Sequence, residues 1–197
     1  MHIAASRANA EVARLLLHDD PNNTQINVKD RDNNTPLHIA VREGREGVVD
    51  VLTNQAAINP NITDNHNDTS LHLALGGINP PQNFNPSLNI IRLLLRNRAG
   101  VNAINTDVNA ENADGDTPLH LAAKVNVNQQ NIQAIIAIVE GLMNYGASRF
   151  KYNHNGQYPR DFARDERVKS LIDASFRIAV LKTVNGVWYR VQIFPVE

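Results

Sequence analysis

The stretch TPLHIA, residues 35–40, sets a histidine inside a short apolar run directly behind a Thr-Pro pair. That pair reads as a helix entry. A threonine hydroxyl at the N-cap accepts a bond from an otherwise orphaned backbone N–H, and proline fits the first helical position. Taken alone, His38 invites a catalytic or metal-binding reading. The sequence answers by repetition: TSLHLA starts at Thr69, TPLHLA at Thr117, and the chain opens on MHIAA. A catalytic histidine is needed once, whereas a structural one is needed in every copy.

Outward from this motif, the marker histidines His2, His38, His72 and His120 are 36, 34 and 48 residues apart. A period near 33 with insertions emerges. A degenerate copy, QYPRDFARD, begins at Gln157 and carries Asp161 where histidine stood. Behind each motif lies a second segment: EVARLLLH from Glu11, GVVDVLTN from Gly47, LNIIRLLLR from Leu88, IQAIIAIVEGLM from Ile132 and RVKSLIDA from Arg167. Their apolar residues recur at helical spacing. Polar loops rich in Asn and Asp follow, as in INVKDRDNN, NITDNHND, VNAENADGD and FKYNHNGQ. The repeating unit is therefore helix, turn, helix and projecting loop.

These residues resemble the ankyrin repeat, a unit of about 33 residues marked by TPLH with an alanine two residues after the histidine. Gly44, Ala57, Gly146 with Ala147, and the VNA segments at Val101 and Val108 fall where that pattern expects them. The resemblance covers about residues 1–174. It implies an all-α solenoid of five units, at about 1–30, 31–64, 65–112, 113–153 and 154–174. Departures from the pattern are the insertion GGINPPQNFNP from Gly76 to Pro86, a doubled VNA loop, and a widened inter-helix turn at NVNQQN. All are expected in loops, where closure entropy grows only slowly with length.

In such a stack Leu37, Leu71 and Leu119 point inward, and Ala40, Ala74 and Ala122 let helices approach closely. No unit buries its face alone, so stability comes from neighbours. Packed helices lie about 8–10 Å apart, whereas zinc needs its imidazole nitrogens within about 2.1 Å of one metal. The histidines are therefore expected to form a structural ladder, with no metal and no other cofactor. His66 and His154 fall on loop tips and read as solvated.

Composition narrows the function. The 197 residues carry 42% hydrophobic side chains, enough for a sizeable core, and a formal charge of −1 that gives no reason to attract nucleic acid or an anionic membrane. With no cysteine, disulfides, thiol nucleophiles and thiolate zinc sites are excluded. No apolar run reaches the roughly 20 residues of a membrane helix, and no signal segment opens the chain. An intracellular, cytoplasmic location is expected. The frequent asparagines lie between the apolar runs and read as turn chemistry. No HExxH, nucleophile elbow, phosphate-cradling glycine loop or paired-carboxylate constellation stands out. Asp114-Gly115-Asp116 lacks the spaced oxygen ligands of a calcium loop and reads as a hairpin turn.

Two ends stand apart. MHIAAS begins without the Thr-Pro entry, whereas DERVKSLIDAS reads as a charged closing helix. Beyond it, residues 175–197 hold two β-rich runs around Asn185-Gly186, a strong hairpin signal. With Val184 paired to Val187, Ile178, Val180, Val187, Tyr189, Val191 and Ile193 would share one face. That face is expected to rest near Phe176 as a cap, to open a further domain, or to pair with another chain.

The resemblance implies a non-catalytic, monomeric module that binds a protein partner, not nucleic acid or membrane. Contacts are implied on the projecting loops and exposed first-helix turns, which form a concave surface. Carried onto this sequence, those positions are Arg31, Asp32, Asn34, Arg42 and Glu43; Asn65, His66 and Asp68; Ala113, Asp114, Asp116 and Lys124; and His154, Asn155, Gln157 and Arg164. A second reading makes the chain the targeting arm of a larger multidomain protein, an enzyme or a host-directed effector. The asparagine-rich style resembles ankyrin proteins that intracellular bacteria deliver into the host cytosol.

Overall fold

A computed structural model describes residues 1–7, 9–20, 22, 24–76, 87–96 and 105–173, together with the backbone of 179–184 and 187–192. The insertion expected at Gly76 to Pro86 lies outside the described residues beyond Gly76, as does the first VNA segment.

Ten helices among the described residues form five pairs: α1 (His2–Ser6) with α2 (Ala10–His18), α3 (Pro36–Arg42) with α4 (Glu46–Thr53), α5 (Ser70–Ala74) with α6 (Leu88–Leu95), α7 (Pro118–Lys124) with α8 (Ile132–Asn144), and α9 (Pro159–Phe162) with α10 (Glu166–Asp173). The entries are set locally. Thr35, Thr69 and Thr117 are extended N-caps, and the hydroxyls of Thr35 and Thr69 accept the N–H of His38 and His72. Each histidine Nδ1 in return accepts the N–H of its own threonine, at 3.0, 3.2 and 3.0 Å. This is a capping box with imidazole in the place usually held by a carboxylate or amide. In the fifth unit Asp161 takes over, its Oδ2 accepting the Tyr158 N–H at 2.8 Å. Gly44 ends the α3 turn in the left-handed region at φ 66°, which glycine enters without steric cost.

First helices stack on first helices, α1 on α3, α3 on α5, α5 on α7 and α7 on α9, and second helices do the same from α2 to α10. The core runs between the two layers. Leu37, Leu71 and Leu119 are fully enclosed, as are Val49, Leu52, Ile91, Leu94, Ile135 and Leu142 from the second layer. Ala40, Ala74 and Ala122 are buried at the close approaches. This is the expected helical solenoid. Past α10 the backbone of β1 (Ala179–Val184) runs antiparallel to β2 (Val187–Gln192), with Val184 opposite Val187. The expected apolar face there and its rest near Phe176 concern side chains outside the described residues.

Candidate binding surface

Between consecutive units the chain projects as a finger, and each finger is built from its base. Asp30, Asp64, Asn112 and Asn153 fold their side chains back so that one Oδ1 accepts two backbone N–H groups, two and four residues on. Asp30 takes those of Asp32 and Asn34 (2.9 and 2.8 Å), and Asp64 those of His66 and Asp68 (2.7 and 3.1 Å). Asn112 takes Asp114 and Asp116 (3.1 and 3.0 Å), and Asn153 takes Asn155 and Gln157 (both 3.0 Å). Such Asx turns satisfy donors that a tight loop would otherwise leave unpaired. One residue per tip is left-handed: Asn33, Asn67, Gly115 and Gly156. Asparagine tolerates that geometry, but at 115 a Cβ would also stand 2.7 Å from His154 Cδ2 and 2.8 Å from its backbone nitrogen, so only glycine fits.

Fingers are then tied to one another. Asn112 Nδ2 donates to Asp68 Oδ1 at 3.1 Å, and Asn153 Nδ2 to Asp116 Oδ1 at 2.8 Å. Backbone bonds join the tips, from Ala113 N to the His66 carbonyl and from His154 N to the Asp114 carbonyl. Lower down, Asn27, Asn61 and Asn109 each use both ends of the amide. Their Nδ2 groups donate to the carbonyls of Ala57, Asn105 and Gly146, while their Oδ1 atoms accept the N–H of Asn59, Asp107 and Ser148. The asparagines thus do more than the turn chemistry read from composition: one set bridges successive units.

The histidine ladder runs behind the fingers. Because Nδ1 accepts a backbone N–H, the neutral ring carries its proton on Nε2. His72 Nε2 then donates to the Asp116 carbonyl at 3.1 Å and His120 Nε2 to that of Gln157 at 3.0 Å; His2 Nε2 lies 3.0 Å from the Asn34 carbonyl. His38 Nε2 is equally enclosed but meets no acceptor in good geometry. Burial pushes His38 down to about 4, against the opposing pull of the Asp64 carboxylate. Burial also lowers His72 and His120, so all three rings are held neutral.

The expected contact residues divide into two groups. Arg31, Asp32, Glu43, Asn65, His66, Ala113, Asp114, His154, Asn155 and Arg164 are exposed on tips or helix exits, and Gln157 is half-buried. Asn34, Asp68 and Asp116 are instead buried at 4, 2 and 1% exposure. Each stands just before the helix cap, where its side chain turns into the array instead of outward. Asn34 Oδ1 accepts Arg42 Nη2 at 2.8 Å, and Asp116 holds Asn153 on one oxygen and Lys124 on the other. Arg42 also lies 3.6 Å from Asp64, and Lys124 Nζ sits 4.4 Å above the Phe162 ring. Both cations, half-exposed, brace the fingers.

Sequence reasoning missed the aromatic side chains of the fourth finger. Phe150 and Tyr152 are each 66% exposed, Tyr158 is 41% exposed, and the two tyrosine rings meet edge to face at 6.2 Å. Their apolar bodies and polar tips suit a recognition surface. They stand outside the apolar periodicity, which was the available clue.

A model of three ankyrin repeats matches residues 1–105, and a single ankyrin repeat matches residues 114–153. The chain belongs to the ankyrin-repeat family. Its relatives include an ankyrin repeat protein of Fowlpox virus (strain NVSL), 34% identical over 170 residues, covering 83% of this chain and 45% of the viral protein. A Dictyostelium discoideum protein named as a serine/threonine-protein kinase is 32% identical over 109 residues, 55% of this chain and 12% of its own length. Neurogenic locus notch homolog protein 1 of Mus musculus is 37% identical over 101 residues, 51% of this chain and 3% of its own. The ankyrin array thus spans less than half of each of these relatives. Among the described residues no helix is long and apolar enough to cross a membrane.

Proposed function

We propose that this ankyrin array binds a protein partner without catalysis, through its finger tips and first-helix exits. One observation carries the reading: each finger base is locked by paired Asx-turn hydrogen bonds, with buried ties from Asn112 to Asp68 and from Asn153 to Asp116, while the tips stay exposed and in register. Ordering the partner-facing backbone in advance lowers the entropy lost on binding. Asp32, His66, Asp114 and Asn155 supply polar contacts, and Tyr152 and Tyr158 supply the large rigid area typical of residues that dominate affinity. Cross-linking pull-down from lysate tests this, comparing the intact array with an Asp32/His66/Asp114/Asn155→Ala variant and a Tyr152/Tyr158→Ala variant. Partners should be lost from one or both. An unchanged partner set refutes the surface.

A second reading, that the array is the targeting arm of a larger multidomain protein, is favoured by the small share of each relative that it spans. Under it the catalytic or effector work belongs to other domains, and residues 175–197 serve as a C-terminal hairpin extension of the array. Deleting 175–197 should then leave finger binding intact, as the same pull-down would read out.

A further inference from the structure

Unlike the interior pairs, the first helix pair leaves an apolar face uncovered. Val12, Leu15 and Leu16 on α2 are 39, 55 and 41% exposed, while Val48, Val51 and Leu52, their counterparts on α4, are 1, 4 and 0% exposed. The same register on α6 puts Ile90 and Leu94 at 2 and 1%. On α1, Ile3 is 70% exposed, whereas at the equivalent place Leu121 on α7 is 3% exposed and Ile39 on α3 and Leu73 on α5 are half-buried. Met1, Ile3, Val12 and Leu16 line a groove of about 830 Å³ on this side. The opposite side of the pair is complete, with Ala13 and Leu17 buried and α1 and α2 packed on α3 and α4.

We propose that the outer face of α1 and α2 is a stacking interface for a further helix pair of this same repeat type, contributed in cis by a longer polypeptide. The face continues the contact that α2 makes on α4 and α4 on α6, and it presents the residues those contacts bury. A unit that cannot bury its face alone takes its stability from the neighbour that does so. A second copy stacked head to tail fits less well. The matching side would be that of α10, where Val168 and Ile172 already face inward and Glu166, Arg167 and Ser170 are exposed, so charge would fall on Leu15 and Leu16. The viral relative is more than twice as long as the part of it that this chain matches. This inference does not depend on which partner the fingers bind.

The chain has no cysteine, so Leu15→Cys and Leu16→Cys each provide a single thiol, and Val51→Cys a buried reference. Fusing a second copy of residues 31–70 ahead of Met1 sets Thr69-Ser70 before Met1-His2 and rebuilds the Thr-x-x-His box. Maleimide labelling at 15 and 16 should be fast in the chain alone and slow by about tenfold or more in the fusion, as reaction then awaits local opening; labelling at 51 should not change. Adding Leu16→Glu to the fused Leu15→Cys protein should restore fast labelling. Equal rates with and without the added unit would overturn the proposal. So would thiol protection in the unfused chain that rises with concentration and accompanies a dimer in light scattering, since the face would then belong to a second copy.

Discussion

Single side chains in this array are chosen for what both of their ends do. Asn61 donates to the Asn105 carbonyl and accepts the Asp107 N–H, so Asn61→Asp removes a donor and turns a carboxylate toward a carbonyl. It should cost about 1–3 kcal/mol in urea unfolding. Asn65→Asp, an exposed tip whose Oδ1 only accepts, should stay within about 0.5 kcal/mol. Glycines separate in the same way. Gly156→Ala meets open space and should cost only the left-handed penalty of about 1–2 kcal/mol. Gly115→Ala must also displace His154 and should cost more, measured as a lower urea midpoint. The histidines set the pH response. Unfolded imidazoles take up protons near pH 6.5, whereas folded His38 does so only near 4, and His72 and His120 are also lowered. The unfolded state therefore binds more protons below 6.5. The stability is fully present above that value and is lost as pH falls toward the folded values, at up to about 1.4 kcal/mol per pH unit per histidine. For His38 alone the full loss is about 3 kcal/mol. His72→Gln keeps an amide able to serve the capping box and should flatten the slope of stability against pH by one histidine's share.

At the scale of the element, each finger behaves as one hydrogen-bonded object. Asn153→Ala removes the acceptor for the Asn155 and Gln157 amides and the donor to Asp116. Amide exchange should therefore accelerate at 155 and 157, with opening easier by about 1–3 kcal/mol, while the finger at 64–68 keeps its protection. Helix pairs were legible in the sequence because their apolar residues and Thr-x-x-His entries repeat on a period that packing demands. The fingers were legible only in outline. Asn34, Asp68 and Asp116 look like contact residues by position, yet they are consumed inside the array. The clue was present in the four-residue spacing of 30 and 34, 64 and 68, 112 and 116, and 153 and 157, each pair closing one Asx turn. Spacing could not show that successive turns lie close enough for Asn112 to reach Asp68, because that distance is a product of stacking. Tyr158 keeps the place of the threonine caps but not their residue type, Tyr152 follows no period, and only the folded finger brings their rings together.

For the whole molecule, stability is a sum of units and of the interfaces between them. Unit four has neighbours on both sides, and Leu142 of α8 is fully enclosed. Leu142→Ala should cost about 2–5 kcal/mol. The first pair, covered on one side, should open at lower free energy. Native-state hydrogen exchange should rank α1 and α2 below α7 and α8, and equal protection across the array would contradict the nearest-neighbour account.

The Asx turns at the finger bases also bear on how such a protein changes over generations. Because Asp30, Asp64, Asn112 and Asn153 impose the backbone from beneath, the side chains at 31 and 32, 65 and 66, 113 and 114, and 154 and 155 carry little conformational duty. Mutation can sample chemistry there with folding exerting little veto, so descendants of one array can diverge in target while sharing a single melting temperature.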